Sequence, residues 1–276
     1  MKLKKLFITG AAGLAACALI AGCGGEKKDA APAKEGGPVT IKVGVSPVPH
    51  AEVLNTVKDK LAKEGVNVEV VEFTDYVQPN LALNDKSLDA NYFQHKPYLD
   101  QVCKDRGMKL TSIGAVHLEP MGVYSRKVKD LKDLSDGAHI AIPNDPTNGG
   151  RALLVLQRAG LIKLRDDAPI TATPQDIAEN PKHIQFSELE APQLPRSLDD
   201  ADVAVINCNF AMEAGLNPVK DAIFTEGSDS PYANIVAVRE GDENRPEIQK
   251  LMQALQSQEV KDFMAKKYNG AVMAAF

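Results

Sequence analysis

Several things are scarce in this 276-residue sequence. It has no tryptophan, 14 phenylalanines and tyrosines together, four cysteines and five histidines. Lysine and arginine number 32 against 37 aspartates and glutamates, a formal charge of −5, and no basic run stands out in the body of the chain. Phosphate backbones are bound by basic patches, so this balance argues against nucleic acid as a partner. The cysteines form no C-x-x-C, which removes zinc-finger and dithiol redox motifs. G-x-S-x-G and H-E-x-x-H are missing, and no nucleophile signature surrounds Cys103 or Cys208. His50, His95, His117, His139 and His183 are scattered without metal-ligand spacing. An enzyme is disfavoured on these grounds, and neither a metal nor a cofactor is expected. No internal repeat of about 20–50 residues stands out.

What is present begins with a targeting segment, which stays outside the fold. MKLKK is basic, LFITGAAGLAACALIAG is apolar and ends in small residues, and CGGEKKDAAPAKEGGP is polar and poor in anything that could pack. The 17 apolar residues are marginally enough to span a bilayer. LIAGC, however, resembles a bacterial lipobox, whose cysteine is lipidated and becomes the new N-terminus. Cys23 is preferred to Cys17 because Cys17 is followed by ALIAG rather than by a polar tether. The expected parts are a lipoprotein signal peptide over 1–22 and a flexible tether over 23–37. The body would then be held by a lipid on the extracytoplasmic side of a bacterial membrane, in the periplasm if the cell is Gram-negative. Of the two remaining cysteines, Cys103 falls on the amphipathic pattern PYLDQVCKD and reads as a small buried hydrophobe.

After the tether, strand and helix patterns alternate. VTIKVGV (39–45), VNVEVVEF (66–73), LDANYF, AHIAIP, HIQFSEL, ADVAVIN and YANIVAVRE (232–240) read as strands. HAEVLNTVKDKLAKEG (50–65), NLALNDKSL, HKPYLDQVCKDRG and the C-terminal RPEIQKLMQALQSQEVKDFMAKKY read as helical, and TPQDIAEN as a short helix capped by Thr173. This is an α/β chain with largely parallel sheets. Two such series suggest two lobes, residues 38–121 with 231–276 and residues 122–230. They would be joined by two hinge crossings, at EPMGVYS and SDSPYANIVAV, which suits closure around a ligand.

Open α/β sheets bind ligands beyond the carboxyl ends of their strands. Ser46, Tyr76, Gln94 with His95, Asn144 and Asn207 all follow strand patterns, and Asn234 lies at the second crossing. The aromatics concentrate nearby, with Phe73, Tyr76, Tyr92, Phe93 and Tyr98 all inside 26 residues of sequence. Phe73 and Tyr92 read as core, Tyr76 and Phe93 as walls of an apolar slot, and His95 as a ligand donor or a helix cap. In NDPTNGGRALLVLQ (144–157) the cap is expected at Thr147 or Asn148, which puts Arg151 in the first helical turn. A cation at that end of the macrodipole costs roughly 0.3–1 kcal/mol, so the arrangement asks for an anion. A ligand carboxylate would fit a guanidinium fork, whereas a protein acid such as Asp145, or water, would make Arg151 structural.

NDPTNGGRALLVLQRAGLI, DANYFQHKPYLD, VINCNFA and SPYANIVAVR, in that order, together resemble the methionine-binding lipoprotein family, the substrate-binding subunits of methionine ABC importers. The resemblance spans nearly the whole chain after the tether. It implies a two-lobed periplasmic-binding-protein fold holding one amino acid, methionine in the L form, and delivering it to a membrane permease. The family's arginine, which grips the ligand carboxylate, corresponds to Arg151. Its asparagines for the polar backbone groups correspond to Asn207, with Asn209 as a second candidate, and to Asn234. Its aromatic wall corresponds to Tyr76, Phe93 and Tyr98, with His95 near the side-chain slot. Cys208 departs from the pattern, where a small residue such as glycine or threonine is expected. A monomer is expected, and Arg151→Ala is expected nearly to abolish amino-acid binding and leave the fold intact. The rival readings are another apolar amino acid or a methionine-containing dipeptide in the same cleft, or a surface lipoprotein of adhesion or signalling.

Overall fold

The computed structural model describes residues 37–227 and 229–276. The expected signal peptide, Cys23 and the expected tether up to residue 36 lie outside the described residues. The first half begins with β1 (Val39–Val45), α1 (Glu52–Lys63), β2 (Val66–Glu72), α2 (Gln78–Asn84), β3 (Ala90–His95), α3 (Lys96–Arg106) and β4 (Leu110–Leu118). There follow β5 (Gly122–Tyr124), β6 (His139–Pro143), α4 (Pro146–Arg158), β7 (Lys163–Leu164), β8 (Ile177–Glu179), β9 (Gln185–Leu189), α5 (Leu194–Ser197), β10 (Val203–Ile206), α6 (Cys208–Glu213) and β11 (Phe224–Thr225). The chain ends with β12 (Asn234–Arg239), α7 (Pro246–Leu255), α8 (Gln258–Tyr268) and β13 (Met273–Ala274).

The patterns form these elements for simple reasons. In β1, Ile41, Val43 and Val45 are buried while Thr40 and Lys42 are exposed, the period-two alternation of a strand with one covered face. In α1, Val53, Leu54, Val57 and Leu61 are buried along one stripe, and the chain turns away at Gly65 with φ +80°. Helix α3 stops the same way, at Gly107 with φ +65°. The C-terminal helical stretch is two helices, broken at Ser257, whose side chain caps α8.

Two mixed sheets organise the chain. A six-stranded sheet has the order β13-β4-β12-β3-β1-β2, and a five-stranded sheet the order β11-β5-β10-β6-β9. The expectation of largely parallel sheets is corrected. Four pairings in these sheets are parallel and five antiparallel. The parallel pairs are those joined by helical crossovers, whereas strands that enter from the other sheet, such as β12 between β3 and β4, run the opposite way. The chain leaves the first sheet after Leu118 and joins the second at Gly122, then leaves after Thr225 and returns at Asn234. Each sheet has its own apolar core. Ile41, Val43, Leu54, Val236 and Leu251 belong to the first, and Ile140, Ile142, Leu153, Leu156 and Val205 to the second. Burying each such side chain contributes about 1.5–3 kcal/mol.

Other local expectations change as well. TPQDIAEN is one helical turn, Pro174–Asp176, followed by strand β8, because Asp176 bonds back to Thr173 N and closes the turn. Cys103 is only partly buried, and neither Cys103 nor Cys208 is in a disulfide. Helix α4 is capped by Asp145, whose carboxylate accepts from Asn148 N at 2.9 Å, with Pro146 in the first turn. Arg151 is thus the sixth helical residue, two or three residues further in than expected, where the dipole conflict has largely faded. The glycines before it serve packing. A Cβ on Gly150 would stand 2.2 Å from the Ile170 carbonyl oxygen, and one on Gly149 2.9 Å from that of Pro143.

Gly150→Ala should therefore lower the unfolding free energy by about 1–3 kcal/mol despite alanine's better helix propensity. Urea denaturation measures it; an unchanged or higher midpoint would mean that the Ile170 loop yields without cost.

Candidate ligand-binding site

A small cavity lies between the two sheets, lined by residues of both. From the first sheet's half come His50, Tyr76, Phe93, Gln94, His95, Tyr98 and Asn234; from the other come Asn148, Arg151, Asn207, Cys208 and Asn209. Glu119, between β4 and β5, completes it. One wall is aromatic. The Tyr76 ring lies 6.0 Å from those of Phe93 and Tyr98 and 4.9 Å from that of Phe210. Tyr76 Oη donates across the cleft to Asn209 Oδ1 at 2.5 Å, and within the first half Tyr98 Oη donates to the Tyr76 carbonyl at 2.9 Å. His95 caps α3 by accepting from Tyr98 N through Nδ1, which leaves Nε2–H to donate to Asn148 Oδ1 at 3.1 Å. Burial and the nearby Arg151 push its pKa down to about 3, so it is neutral.

Arg151 is itself buried and already paired. Its Nε donates to both Glu226 carboxylate oxygens at 3.1 Å, and Nη2 also reaches Glu226 and donates to the Glu119 carbonyl at 2.8 Å. The guanidinium stacks over Tyr232 at 4.5 Å. Asn207 donates from Nδ2 to Asn148 Oδ1 at 2.9 Å, while its own Oδ1 is buried with no partner among the described residues.

A second polar group lies behind Asn234. Asn234 Oδ1 is 3.1 Å from His50 Nε2, which is 3.3 Å from Glu119 Oε1; that oxygen is 2.6 Å from His117 Nε2. The far nitrogen of His117, Nδ1, bonds to the Tyr92 hydroxyl. Burial holds His50 down to about 4, with Glu119 opposing, and His117 down to about 3. Burial also pushes the Glu119 carboxyl above the usual carboxylate range, against the pull of His50 and Arg151. His50, His117 and Glu119 hold donor atoms within 4.8 Å of one another, the set that could take a metal ion. Those atoms engage one another and their neighbours in hydrogen bonds as a buried polar network, with His50 Nδ1 left without a partner.

The sequence and fold match known proteins over nearly the whole described chain. The NlpA lipoprotein family model matches residues 41–276. The chain belongs to the NlpA lipoprotein family. The D-methionine-binding lipoprotein MetQ of Salmonella typhi is 50% identical over 258 residues, 92% of each chain, and that of Escherichia coli K12 is 48% identical over the same length and coverage. A solved nutrient-binding protein from Burkholderia cenocepacia, bound to methionine, is 53% identical with a TM-score of 0.82, covering 86% of this chain and all of that one. The methionine-binding protein MetQ in another solved structure is 48% identical, also with a TM-score of 0.82, covering 86% of this chain and 98% of that one. The architecture of this NlpA lipoprotein is accordingly the two-lobed periplasmic-binding-protein fold.

All eight residues singled out from the sequence, Tyr76, Phe93, His95, Tyr98, Arg151, Asn207, Asn209 and Asn234, line the one cavity. Two strand-end residues do not: Ser46 is buried away from it and Asn144 is exposed. Phe73 and Tyr92 are not in its lining either; Tyr92 is fully buried. Sequence reasoning missed His50, Glu119, Asn148 and Glu226. Glu119 carries the signal that found the others, a polar residue just past the end of a strand. His50 and His117 are 67 positions apart, and only the fold brings them together. Cys208 is buried, its Sγ 3.5 Å from the Ala271 carbonyl in the first sheet's core.

The pairing of Arg151 changes one expectation. Arg151→Ala strands Glu226 and Glu226→Ala strands Arg151, so each should cost about 3–5 kcal/mol of stability. The double variant Arg151→Met with Glu226→Leu should recover most of that loss; urea midpoints decide, and single variants as stable as the parent would show that the pair is not coupled. The histidines add a pH signature. His50, His95 and His117 bind protons when unfolded near their ordinary value of 6.5 but only at about 3–4 when folded. Unfolding then takes up about two to three protons between these limits, Glu119 offsetting up to one, so stability should fall as pH falls through that window. A flat stability profile from pH 7 to 4 would contradict it.

Proposed function

We propose that this NlpA lipoprotein is the substrate-binding component of an ABC importer and holds one methionine between lobe 38–121 with 231–276 and lobe 122–230. The relatives' methionine-binding names and the methionine-bound Burkholderia structure support the substrate. The observation that carries the reading within this chain is the orphaned Asn207 Oδ1, a buried acceptor in a cavity that also holds Arg151 and an aromatic wall. A buried acceptor without a donor costs about 1–3 kcal/mol, which a ligand N–H would recover.

In this reading Arg151 takes the carboxylate through Nη1, the guanidinium nitrogen that neither Glu226 nor the Glu119 carbonyl uses. Asn207 and Asn234 take the polar groups around the α-carbon. Asn209, tied up by Tyr76, holds the two lobes at the aromatic wall. The thioether lies among Tyr76, Phe93, Tyr98 and His95, where sulfur–aromatic contacts add roughly 0.3–1.5 kcal/mol. No bond is made or broken: the loaded form docks on a membrane permease as a monomer. The lipid on Cys23 keeps the protein at the extracytoplasmic face of the membrane. No helix among the described residues is long and apolar enough to cross a membrane.

The first test is protein beginning after Cys23, purified without unfolding, then denatured and searched for released small molecules by mass spectrometry. Stoichiometric methionine is expected, and chiral chromatography assigns its hand, L by the sequence resemblance and D by the relatives' names. Another amino acid or a dipeptide would overturn the substrate and keep the carboxylate clamp. Asn207→Ala should weaken methionine binding by about 1–3 kcal/mol. Titration calorimetry showing no loss would take Asn207 out of the site.

A further inference from the structure

Ion pairing around the cavity leaves one charge unmatched. Arg151 is bound on one edge by Glu226 and touches Glu119 only through its backbone carbonyl. The Glu119 carboxylate has no lysine or arginine within 4.0 Å among the described residues; its ion-pair partners are His50 and His117. Hydrogen bonding fixes both histidines as neutral tautomers. His117 Nδ1 accepts from the Tyr92 hydroxyl, so Nε2–H donates to Glu119 Oε1. His50 Nε2 faces two acceptors, Glu119 Oε1 and Asn234 Oδ1, so it carries the proton, and its buried Nδ1 has no partner. One arginine therefore stands against two buried carboxylates in the wall and backing of a cavity that a ligand would enter. An uncompensated buried charge costs several kcal/mol, and a cationic ligand group is what would offset it.

We propose that Glu119 determines specificity for a free α-ammonium: its carboxylate is the fixed negative charge that the ligand nitrogen pairs with, and ligands whose nitrogen is acylated or missing are rejected. This deepens the methionine reading and rests on it. Asn207 Oδ1 and the Asn234 amide, which line the same cavity, supply neutral acceptors beside the charged one. His50 and His117 are positioning residues, holding the carboxylate by its Oε1 without cancelling its charge.

The test is a cycle between a residue and a ligand group. Calorimetry measures wild type and Glu119→Gln against methionine, N-acetylmethionine and the desamino analogue 4-(methylthio)butanoate. Glutamine keeps an acceptor oxygen for His117 Nε2–H, removes the charge and exchanges the other carboxylate oxygen for an NH2 group. Wild type should prefer methionine to either analogue by at least about 100-fold, the scale of discrimination seen when a buried polar group is left unpaired. Glu119→Gln should lose about 30-fold or more for methionine and less than about 3-fold for the desamino analogue, the coupling expected of a charged hydrogen-bonded pair. Ligand-free Glu119→Gln should melt no lower than ligand-free wild type, which a merely structural glutamate would not allow. Equal losses for the two ligands, or none for methionine, overturn the proposal. If Glu119→Gln does not fold, wild type decides: N-acetylmethionine or the desamino analogue binding as tightly as methionine sinks the proposal. Wild type that binds methionine but shows no such preference refutes the Glu119 role alone, whereas wild type that binds no methionine refutes the substrate reading and this proposal with it.

Discussion

The structure turns on where the Arg151 guanidinium is held. It projects from α4 in the second sheet's half, yet its fixing contacts lie on both connections between the sheets. Glu119, whose carbonyl it binds, lies on the connection from β4 to β5. Glu226, which grips two of its nitrogens, and Tyr232, over which it stacks, lie on the connection from β11 to β12. A buried cation needs a counter-charge and satisfied donors, and here both come from segments that a hinge motion must bend. A ligand bound by Arg151 would bear on both connections at once, as closure around a substrate requires.

Polar groups are spent unevenly around that point. Tyr76 with Asn209 and His95 with Asn148 bond across the cleft between groups of opposite halves, and each leaves little capacity for anything else. Asn207 keeps capacity in reserve as an unpaired acceptor, and the Glu119 carboxyl has no lysine or arginine within 4.0 Å among the described residues. The first pairs hold the two halves together. The second pair is what a ligand would complete, and the stability it withholds in the free protein is regained on binding.

Much of this was legible in the sequence. Period-two runs such as VTIKVGV and amphipathic stretches such as EVLNTVKDKLAK stand where expected, because one buried face is a local property of the chain. The strand-end rule also located part of the cavity, Tyr76, Gln94, His95 and Asn207, since the ends of parallel strands share one edge of a sheet. Non-local facts were out of reach. Strand direction depends on which half a strand returns from, so the antiparallel place of β12 could not be read from YANIVAV itself. The cap of α4 was misplaced because Asp145, Thr147 and Asn148 are all good caps, and only the bond to Asn148 N selects Asp145. Gly149 and Gly150 looked like a cost to the helix. Their reason, the close carbonyls of Pro143 and Ile170, is tertiary. The His50–Glu119–His117 network is invisible to any spacing rule, because its members belong to a turn, a strand and a connection.

Cys208 opens α6, whose Phe210 and Ala211 pack with the second sheet while Cys208 itself is sunk among residues of the first sheet's core, with the thiol against Ala271. Burial drives that thiol's pKa up, so in this arrangement it is both protonated and unreachable. A movement that carried α6 away from the first sheet's core would draw it out into water, where it becomes an ordinary nucleophile. The departure from the family's sequence pattern thus gives the molecule an internal clock hand. The rate at which an alkylating reagent consumes Cys208 would count how often the cleft opens.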